Sequence, residues 1–301
     1  MHILRRRGWE LPEHLVTPEA LVLGRRAALT GAGSVVLAAA AGLEPDPKYP
    51  PGRDITPEKY STTYNNYYEF SESKNLWQAA QALKQRPWSI SLEGELKQPR
   101  TIDIDDLLKQ VQLEERVYRH RCVEAWAMTV PWTGFPLSQL LKLAEPLGSA
   151  KFVVFETVQD KSMPGLDSPF YPWPYIEGLA IDEAANDMAF ISTGMYGKPL
   201  PPQDGGPIRL TVPWKYGFKS AKALIKISFT EKRPVNFWQA IQPSEYGFWA
   251  NVNPAVAHPR WSQANERLLG SNQMVPTQIY NGYGEFVASL YTDRKNEKLF
   301  M

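Results

Sequence analysis

The sequence predicts an α+β domain in which short helices, mixed sheets and long loops alternate. Apolar and polar residues alternate over 88–92 and 223–230, which indicates strands. Two further segments, 151–158 and 208–212, are rich in β-branched residues and are typical of buried strands. The chain also contains 26 prolines and 10 tryptophans, which favours a loop-rich fold with aromatic packing over a helical bundle.

Helical spacing is found only in short segments. The segments 75–84 and 103–109 are predicted as helices, and Asp103 is a plausible N-cap of the second. In a third segment, 138–144, apolar side chains together with Leu137 fall on one helical face.

Length, composition and charge restrict the class of protein. The 301 residues allow one large domain or two small ones, and 43% hydrophobic residues suffice for a core. The formal net charge of +1 argues against the basic stripe that is typical of nucleic-acid binding. No internal repeat or low-complexity block divides the chain, so we expect one folded domain over residues 64–301.

The N-terminal residues 1–43 are predicted to be a twin-arginine export signal. Arg25 and Arg26 precede an apolar run over 31–42 that ends in small residues. That run is about a dozen residues, whereas a membrane-spanning helix needs ~20. The alternative is an ordinary hydrophobic helix preceded by basic residues. Residues 44–63, rich in Pro, Lys, Asp and Thr, are predicted as an extended linker.

Cys122 is the only cysteine in the chain. In a protein exported folded to the periplasm, as the signal predicts, it would have no disulfide partner and would be exposed to oxidation. Soft metals prefer a thiolate ligand, and Arg119, His120 and Arg121 would favour the thiolate if they faced it. Taken alone, however, a lone cysteine is more often a small buried apolar residue. The residues themselves leave both interpretations open.

Two other segments combine aromatic with polar side chains. Residues 64–70, YNNYYEF, offer amides suited to the edge of a heterocycle, or form a hydrogen-bonded surface loop. Residues 212–222, VPWKYGFKSAK, place three lysines around a glycine, with Arg209 upstream. Such a segment can bind a phosphate, although it lacks the Walker pattern, and it can equally be a solvated basic turn.

Taken together, several stretches resemble the molybdoenzymes that have the sulfite-oxidase fold. They are YNNYYEF, RCVEAWAMTVPWTGFPL, GKPLPP, VPWKYGFKSAK, EYGFWANVNP and HPRWSQ, and they run from about Asn65 to the C-terminus. Within that family they resemble the bacterial periplasmic enzymes that reduce methionine sulfoxide in proteins. The resemblance implies a single sulfite-oxidase-type domain with one molybdenum–molybdopterin cofactor per chain.

The resemblance also implies roles for individual residues. Cys122 matches the cysteine that binds molybdenum through its sulfur, the other sulfur ligands coming from the cofactor. Glu124 is expected near the metal, where it would handle protons or hold a water molecule. The residues that match cofactor contacts are Asn65, Tyr68, Glu69, Thr157, Asp204, Arg209, Ser220, Ala221 and Lys222. At position 204 the family usually has Asn, whereas an ionised carboxylate only accepts hydrogen bonds.

The activity implied is removal of oxygen from methionine sulfoxide in periplasmic proteins, with the cofactor performing the oxygen-atom transfer. Electrons must come from elsewhere, because the chain has no CxxCH haem motif and no further cysteine for an iron–sulfur cluster. The resemblance implies a membrane-bound haem subunit that draws on the quinone pool. We expect a monomeric catalytic subunit in a heterodimer, with a shallow cleft that residues such as Trp214 and Tyr246 either line or support from the core.

Three alternatives stay open on the sequence alone. An exported sulfite dehydrogenase, or another small sulfur- or nitrogen-oxide reductase, would use the same cofactor. Sulfite, however, needs converging arginines, and the segment VEAWAM after the cysteine has none. A cofactor-free exported binding protein would leave Cys122 inert. A cysteine hydrolase would need a base beside Cys122, and only His120 and His258 lie beyond the predicted signal.

Overall fold

The computed structural model describes residues 43–300, which form two mixed β-sheets connected by short helices and long loops. The export signal predicted over 1–43 lies outside these residues except for its last position. The α-helices are α1 (Glu58–Thr63), α2 (Trp77–Ala80), α3 (Ile104–Leu108), α4 (Leu137–Ala144), α5 (Ile181–Ala185), α6 (Phe237–Ile241) and α7 (Gly284–Val287). No helix in this range is both long enough and apolar enough to cross a bilayer.

The strands belong to two sheets, which confirms the predicted mixed architecture. The five-stranded sheet has the order β2-β1-β10-β5-β6, and the seven-stranded sheet has the order β12-β11-β4-β7-β8, with β3 added on β4 and β9 on β7. The strands are β1 (Ser89–Gly94), β2 (Arg100–Asp103), β3 (Glu114–Arg121), β4 (Trp126–Pro136), β5 (Phe152–Thr157), β6 (Ile176–Ala180), β7 (Phe190–Met195), β8 (Lys198–Pro199), β9 (Arg209–Thr211), β10 (Leu224–Thr230), β11 (Asn265–Leu268) and β12 (Met274–Pro276).

Strand β4 is the centre of the larger sheet. It pairs with β3, β7 and β11, and every one of its residues is buried. A strand covered on both faces needs a nearly continuous apolar run rather than alternation, as the sequence AMTVPWTGFP provides. The β3–β4 hairpin reverses direction over residues 122–125, so this buried strand fixes the position of Cys122.

Two predicted helices, α3 and α4, are confirmed, and capping residues set an end of each. Asp103 caps α3, since its Oδ1 accepts a hydrogen bond from the N–H of Asp105 at 2.8 Å. The apolar face of α4 is buried, and Glu145, with a φ of 51°, ends the helix in the left-handed conformation. The helix expected over 75–84 is shorter than predicted. The Gln81 side chain donates to the Trp77 carbonyl oxygen, and the backbone continues in turns instead of a helix.

The N-terminal segment, residues 44–57, lies on the domain rather than apart from it. The N–H of Asp46 donates to the Glu115 carbonyl oxygen of β3 at 2.8 Å. The Tyr49 ring is 2% exposed and packs edge-on against Phe286, with 4.9 Å between ring centroids. The predicted linker therefore differs from the structure in two ways, because this segment is anchored and because α1 forms at its end.

The anchor of this segment predicts a small pH dependence of stability. Partial burial alone would raise the pKa of Asp187, but hydrogen bonds from Lys48 and Tyr49 and the charge of Arg116 lower it to about 2. A carboxylate whose pKa is lowered by folding stabilises the folded state at pH values above its ordinary pKa of 3.8. That contribution is lost as the pH falls through about 2. The side chain is 44% exposed, so we expect less than about 1 kcal/mol.

Asp187→Asn is the variant that tests this pH dependence. Urea unfolding of the wild type and the variant should differ at pH 5, and the difference should shrink between pH 4 and pH 2. A difference that stays constant over this range would contradict the assignment of the lowered pKa to Asp187.

Candidate functional site

Cys122 lies in the tight turn between β3 and β4. Its N–H donates to the Trp126 carbonyl oxygen at 2.9 Å, and its own carbonyl oxygen accepts from the N–H of Ala125 at 3.0 Å. Ala125 has a φ of 63°, a left-handed conformation that costs a non-glycine residue roughly 1–2 kcal/mol. These bonds hold the turn closed, so the thiol is fixed by the backbone of the larger sheet.

The Cys122 side chain is 4% exposed, and its S–H donates to Glu124 Oε2 at 3.8 Å. Asn66 Nδ2 lies 3.3 Å from the sulfur, and the N–H of Glu124 lies 3.5 Å from it. Burial, followed by the charge of Glu124, raises the pKa of Cys122 to about 12. The free thiol is therefore protonated at neutral pH, and a bound metal ion would be needed to make it a thiolate ligand.

The two arginines that flank the thiol in sequence do not activate it. Arg119 donates to Gln278 Oε1 at 2.6 Å, and Arg121 donates to Glu266 Oε2 at 2.8 Å, on the far side of the strand. Alternation along β3 causes this, because neighbouring side chains point to opposite faces. The condition under which these cations would favour a thiolate, that they face the sulfur, is therefore not met by either arginine.

Arg121 instead anchors the turn from behind. Glu266 is fully buried and pairs with Arg121 at 2.8 Å and with Arg53 at 2.5 Å. Removing one partner of a buried ion pair costs about 3–5 kcal/mol, because the other charges stay buried and unpaired. We expect Glu266→Ala to lower the free energy of unfolding in urea by this amount.

The matched control is the exposed pair of Lys97 and Glu145, whose side chains are 63% and 56% exposed. Glu145→Ala should cost at most about 1 kcal/mol, because solvent screens an exposed pair. Equal losses for Glu266→Ala and Glu145→Ala would show that Glu266 does not act as a buried anchor.

Glu124 is held beside the thiol by three donors. Lys74 Nζ lies 2.8 Å from its carboxylate, and Oε2 accepts from Asn66 Nδ2 at 3.2 Å and from Trp126 Nε1 at 3.1 Å. Burial alone would raise the pKa of Glu124, but the hydrogen bond and charge of Lys74 outweigh it and lower the pKa. The Lys74 and Glu124 side chains are 25% and 31% exposed, so solvent reaches this side of the thiol.

One cavity of about 370 Å³ brings the predicted site residues together. Both candidate catalytic residues and all the predicted cofactor contacts line it, except Thr157. The Thr157 hydroxyl lies behind the wall and donates to Glu69 Oε1 at 3.0 Å. Burial raises the pKa of Glu69 to about 7. Thr157 therefore orients a lining residue rather than facing the cavity.

Two basic side chains, those of Arg209 and Lys222, line the cavity. Arg209 is 2% exposed, and its Nη1 donates to the Asp204 carbonyl oxygen at 2.7 Å. Lys222 Nζ donates to the carbonyl oxygens of Asn66 and Gln203, at 2.9 Å and 2.8 Å. Burial, and then the charge of Arg209, lowers the pKa of Lys222. Two cations this close stabilise a bound anion, such as a phosphate.

Asp204 does not pair with Arg209 through its carboxylate. Its Oδ1 accepts from Asn65 Nδ2 at 2.7 Å, and its Oδ2 has no hydrogen-bond partner. Burial raises the pKa of Asp204 to about 6, so the carboxyl is still mostly ionised at neutral pH. An ionised carboxylate only accepts hydrogen bonds, so Asp204 does not supply the donor of the Asn expected here.

The segment VPWKYGFKSAK is not a solvated basic turn. Lys215 and Lys219 are both fully buried and pair with Glu183 at 2.5 Å and Glu177 at 2.8 Å. Only Lys222 of the three lysines lines the cavity. Lys222, the one lysine of this segment predicted to contact the cofactor, therefore lines the cavity, and the other two lysines hold the segment in place.

His120 also lines the cavity, although it was not among the predicted cofactor contacts. Burial, then the charges of Arg209 and Lys222, lowers its pKa to about 3, so the ring is neutral. A Cβ at Gly217 would lie 2.5 Å from His120 Nε2, so only glycine at 217 leaves room for this ring.

Several lining residues carry buried polar atoms without a partner among the described residues. They are Asn65 Oδ1, Asn66 Oδ1, Tyr67 OH and Asp204 Oδ2. Buried unpaired polar atoms are costly, so a ligand with complementary groups would satisfy them. Acceptors of this kind match the N–H edges of a heterocycle, and the nearby cations match an anionic group.

Comparisons with known proteins agree with this chemistry. Residues 78–238 match the family model described as an oxidoreductase molybdopterin binding domain. A protein-methionine-sulfoxide reductase catalytic subunit from Burkholderia mallei is 46% identical, and the match covers 97% of this chain and 96% of that relative. A catalytic subunit of the same name from Ralstonia nicotianae is 44% identical, with 98% and 97% covered.

Among solved structures, the sulfane dehydrogenase SoxCD from Paracoccus pantotrophus is 17% identical to this chain. The alignment has a TM-score of 0.47 and covers 64% of this chain and 46% of that one.

The fold and the site thus define a molybdopterin-binding oxidoreductase. The chain belongs to the family of protein-methionine-sulfoxide reductase catalytic subunits, which confirms the resemblance seen in the sequence. The donor set fits the cofactor of this class. Arg209 and Lys222 would hold its phosphate, the unpaired amide and carboxyl oxygens would meet its pterin, and Cys122 would supply the sulfur ligand.

Sequence reasoning missed the residues that shape the approach to the thiol. Asn66 contacts the sulfur, and its position inside the motif YNNYYEF was the available signal. Lys74 pairs with Glu124 from a loop that carries no motif, so nothing in the sequence indicated it. Trp238 and Trp261 line the mouth of the cavity, and Tyr246 lies beside them, whereas Trp214 is a core residue with 0% exposure.

Proposed function

We propose that this protein reduces methionine sulfoxide residues in proteins outside the cytoplasm. The observation that carries the proposal is the position of Cys122 in the wall of a cavity that opens to solvent beside Glu124 and Lys74. A side chain on the surface of another protein can reach a thiol placed in this way. The named activity of the relatives, at 44–46% identity over nearly the whole chain, supports this substrate.

The chain's own residues would bind the sulfoxide and supply protons. The molybdenum cofactor, when bound, supplies the oxygen-atom transfer and the two-electron chemistry. Asn66 Nδ2, which already lies between the Cys122 sulfur and Glu124 Oε2, can donate a hydrogen bond to an oxygen held beside the thiol. Removal of oxygen as water consumes two protons, and Lys74 and Glu124 form a hydrogen-bonded path for them from solvent.

The test of this function is the comparison of two substrates with the purified holoenzyme and a reduced viologen dye. Oxidised casein that contains methionine sulfoxide should be reduced, and methionine should appear on amino-acid analysis. The competing sulfite dehydrogenase should reduce a dye with sulfite. Of the described lining residues only Arg209 and Arg260 are arginines, and Arg209 is buried among its own partners, so we expect slow sulfite turnover. Sulfite oxidation faster than sulfoxide reduction would overturn the proposal.

Electrons would come from a membrane-bound haem subunit that draws on the quinone pool. The relatives are named catalytic subunits, which supports a second subunit, and Cys122 is the only cysteine available for a redox centre. Deleting the partner should stop quinol-driven reduction and leave dye-driven reduction intact. Loss of both activities would contradict this division between the subunits.

The proposed location is the periplasm, reached in the folded state by the twin-arginine route. Arg25 and Arg26 ahead of the apolar run support it. Replacing both arginines by lysine should keep the protein in the cytoplasm, as measured by cell fractionation. Continued appearance of this variant in the periplasm would contradict the proposed route.

A further inference from the structure

A second cavity, of about 120 Å³, lies next to the main one. The two cavities share Val123, Phe218 and Tyr246 as walls. Val123 directly follows Cys122, so the smaller cavity lies beside the thiol. The Val123 carbonyl oxygen accepts hydrogen bonds from Trp261 Nε1 at 2.8 Å and from Gln263 Nε2 at 2.9 Å. The wall between the cavities is therefore rigidly held, and the smaller cavity is a built feature of the site.

His258 lines this cavity, and its ring is held in one orientation. The side chain is 2% exposed, and the ring stacks on Trp261 with 3.8 Å between centroids and 9° between planes. The N–H of Arg260 donates to His258 Nδ1 at 3.2 Å. Nδ1 therefore carries a lone pair, and the proton of the neutral ring is on Nε2. Burial lowers the pKa of His258, so the ring is neutral at pH 7.

The Nε2–H group of His258 has no hydrogen-bond partner among the described residues. Glu245 Oε2 lies 3.4 Å away but is not aligned to accept, and Arg260 Nη2 binds the same oxygen at 2.8 Å. A buried donor without an acceptor costs about 1–3 kcal/mol, so an acceptor that enters the cavity would regain part of that free energy.

We propose that the smaller cavity is a flanking subsite, which binds the residue next to methionine sulfoxide in a polypeptide substrate. The main-chain carbonyl oxygen of that residue would accept the hydrogen bond from His258 Nε2, and its side chain would contact Val256, Ala257 and Pro259. This inference rests on the proposed function and identifies how the site distinguishes a polypeptide from a small sulfoxide.

Volume and charge favour a polypeptide as the occupant. The main cavity, at about 370 Å³, is near the lower end of the range of about 300–1,000 Å³ that holds a drug-sized ligand. A cofactor would occupy part of that space, so the chain on either side of the sulfoxide would need an adjoining space. The carboxylate of Glu245 would repel an acidic ligand, whereas a neutral carbonyl group meets the neutral donor without a charge conflict.

The test compares an apolar pentapeptide with central methionine sulfoxide and free methionine sulfoxide as substrates of the holoenzyme. The measured quantity is the ratio of their kcat/KM values. The Asn amide in His258→Asn ends at the δ position, so it can keep the bond from Arg260 but cannot reach the cavity. The Gln amide in His258→Gln reaches the ε position and can replace the donor. Ala257→Leu, at an exposed residue, fills the subsite without changing His258.

We expect the ratio of kcat/KM for the pentapeptide to that for free methionine sulfoxide to fall about 5- to 10-fold in His258→Asn. This is the change in affinity that corresponds to the loss of one hydrogen bond. A similar fall is expected in Ala257→Leu, and His258→Gln should stay within about twofold of the wild type. An unchanged ratio in both His258→Asn and Ala257→Leu overturns the subsite. An equal loss for both substrates overturns it as well, because a distorted site would explain that result.

A binding measurement separates this inference from the proposed function. Isothermal titration calorimetry with the same pentapeptide carrying methionine sulfone needs no turnover. If the wild type reduces neither sulfoxide, the proposed function fails, but peptide binding weakened about 5- to 10-fold by His258→Asn still supports the subsite. Peptide binding that is equal in the wild type, His258→Asn and Ala257→Leu overturns the subsite whatever the activity.

Discussion

Cys122→Ser should lower the rate of sulfoxide reduction at least about 1,000-fold. Loss of a residue that only hydrogen-bonds to a metal ligand already costs about 10- to 100-fold in activity, and loss of the ligand itself should cost more. A serine hydroxyl is a poor ligand for a soft metal, and no other cysteine exists to take its place. The substitution removes one buried sulfur without adding volume, so the turn between β3 and β4 should keep its shape. The measurement is dye-driven turnover of oxidised casein at equal protein concentration.

Two further measurements make the result for Cys122 interpretable. Urea unfolding of the variant should give a free energy within about 1.5 kcal/mol of the wild type, because Asn66 Nδ2 and the N–H of Glu124 can donate to the buried serine oxygen. The molybdenum content of both proteins is measured by plasma mass spectrometry. Metal retained by the variant is compatible with the prediction, because Arg209 and Lys222 would still hold the phosphate. Turnover near that of the wild type would refute a role of Cys122 as ligand.

Lys222→Met should weaken retention of the cofactor about 10- to 100-fold, the equivalent of one charge-assisted hydrogen bond of roughly 1.5–3 kcal/mol. Lys222 Nζ uses two of its three N–H donors on the carbonyl oxygens of Asn66 and Gln203. The third N–H donor of Lys222 is available to a phosphate bound in the cavity. Methionine preserves the length of the side chain and removes the charge.

The matched control for Lys222 is Lys226→Met on β10. Lys226 pairs with Glu156 at 2.7 Å, and its side chain is 32% exposed and outside the cavity lining. Molybdenum per chain is measured after dialysis at increasing salt. The control should keep its metal, and Lys222→Met should lose it at lower salt. Equal retention in the two variants would place the phosphate elsewhere.

The sequence predicted the local elements well and their pairing not at all. The N-cap Asp103 and the apolar face of α4 are both recognisable from residues close together in the sequence, and both are found as predicted. The parallel pairing of β1 with β10 joins Ser91 to Lys226, and no local pattern contains that information. Helix α2 ends earlier than its periodicity predicts. The Gln81 side chain, rather than a backbone N–H, donates to the Trp77 carbonyl oxygen, and an apolar pattern does not show this competition.

The sequence predicted which residues form the candidate site better than it predicted how their side chains are oriented. Family resemblance named Cys122, Glu124 and most of the cavity wall, and their roles stay predictions that the experiments above test. The sequence left open whether Arg119 and Arg121 face the thiol, and strand alternation turns both of them away from it. The sequence could not show that Lys215 and Lys219 form buried ion pairs, because their partners Glu183 and Glu177 are distant in the chain. Charges adjacent in sequence say little until the backbone direction is known.

The anchors of β3 come from the two ends of the sequence, and this has a consequence for the order of folding. Arg119 donates to the carbonyl oxygen of Asn281, 162 positions later, and Glu266 binds Arg53, 213 positions earlier. Contacts of such separation close late and slowly. A ribosome must therefore release nearly the whole chain before the strand that ends at Cys122 is secured. Cofactor loading is then a post-translational step, completed on a finished domain rather than on a growing one.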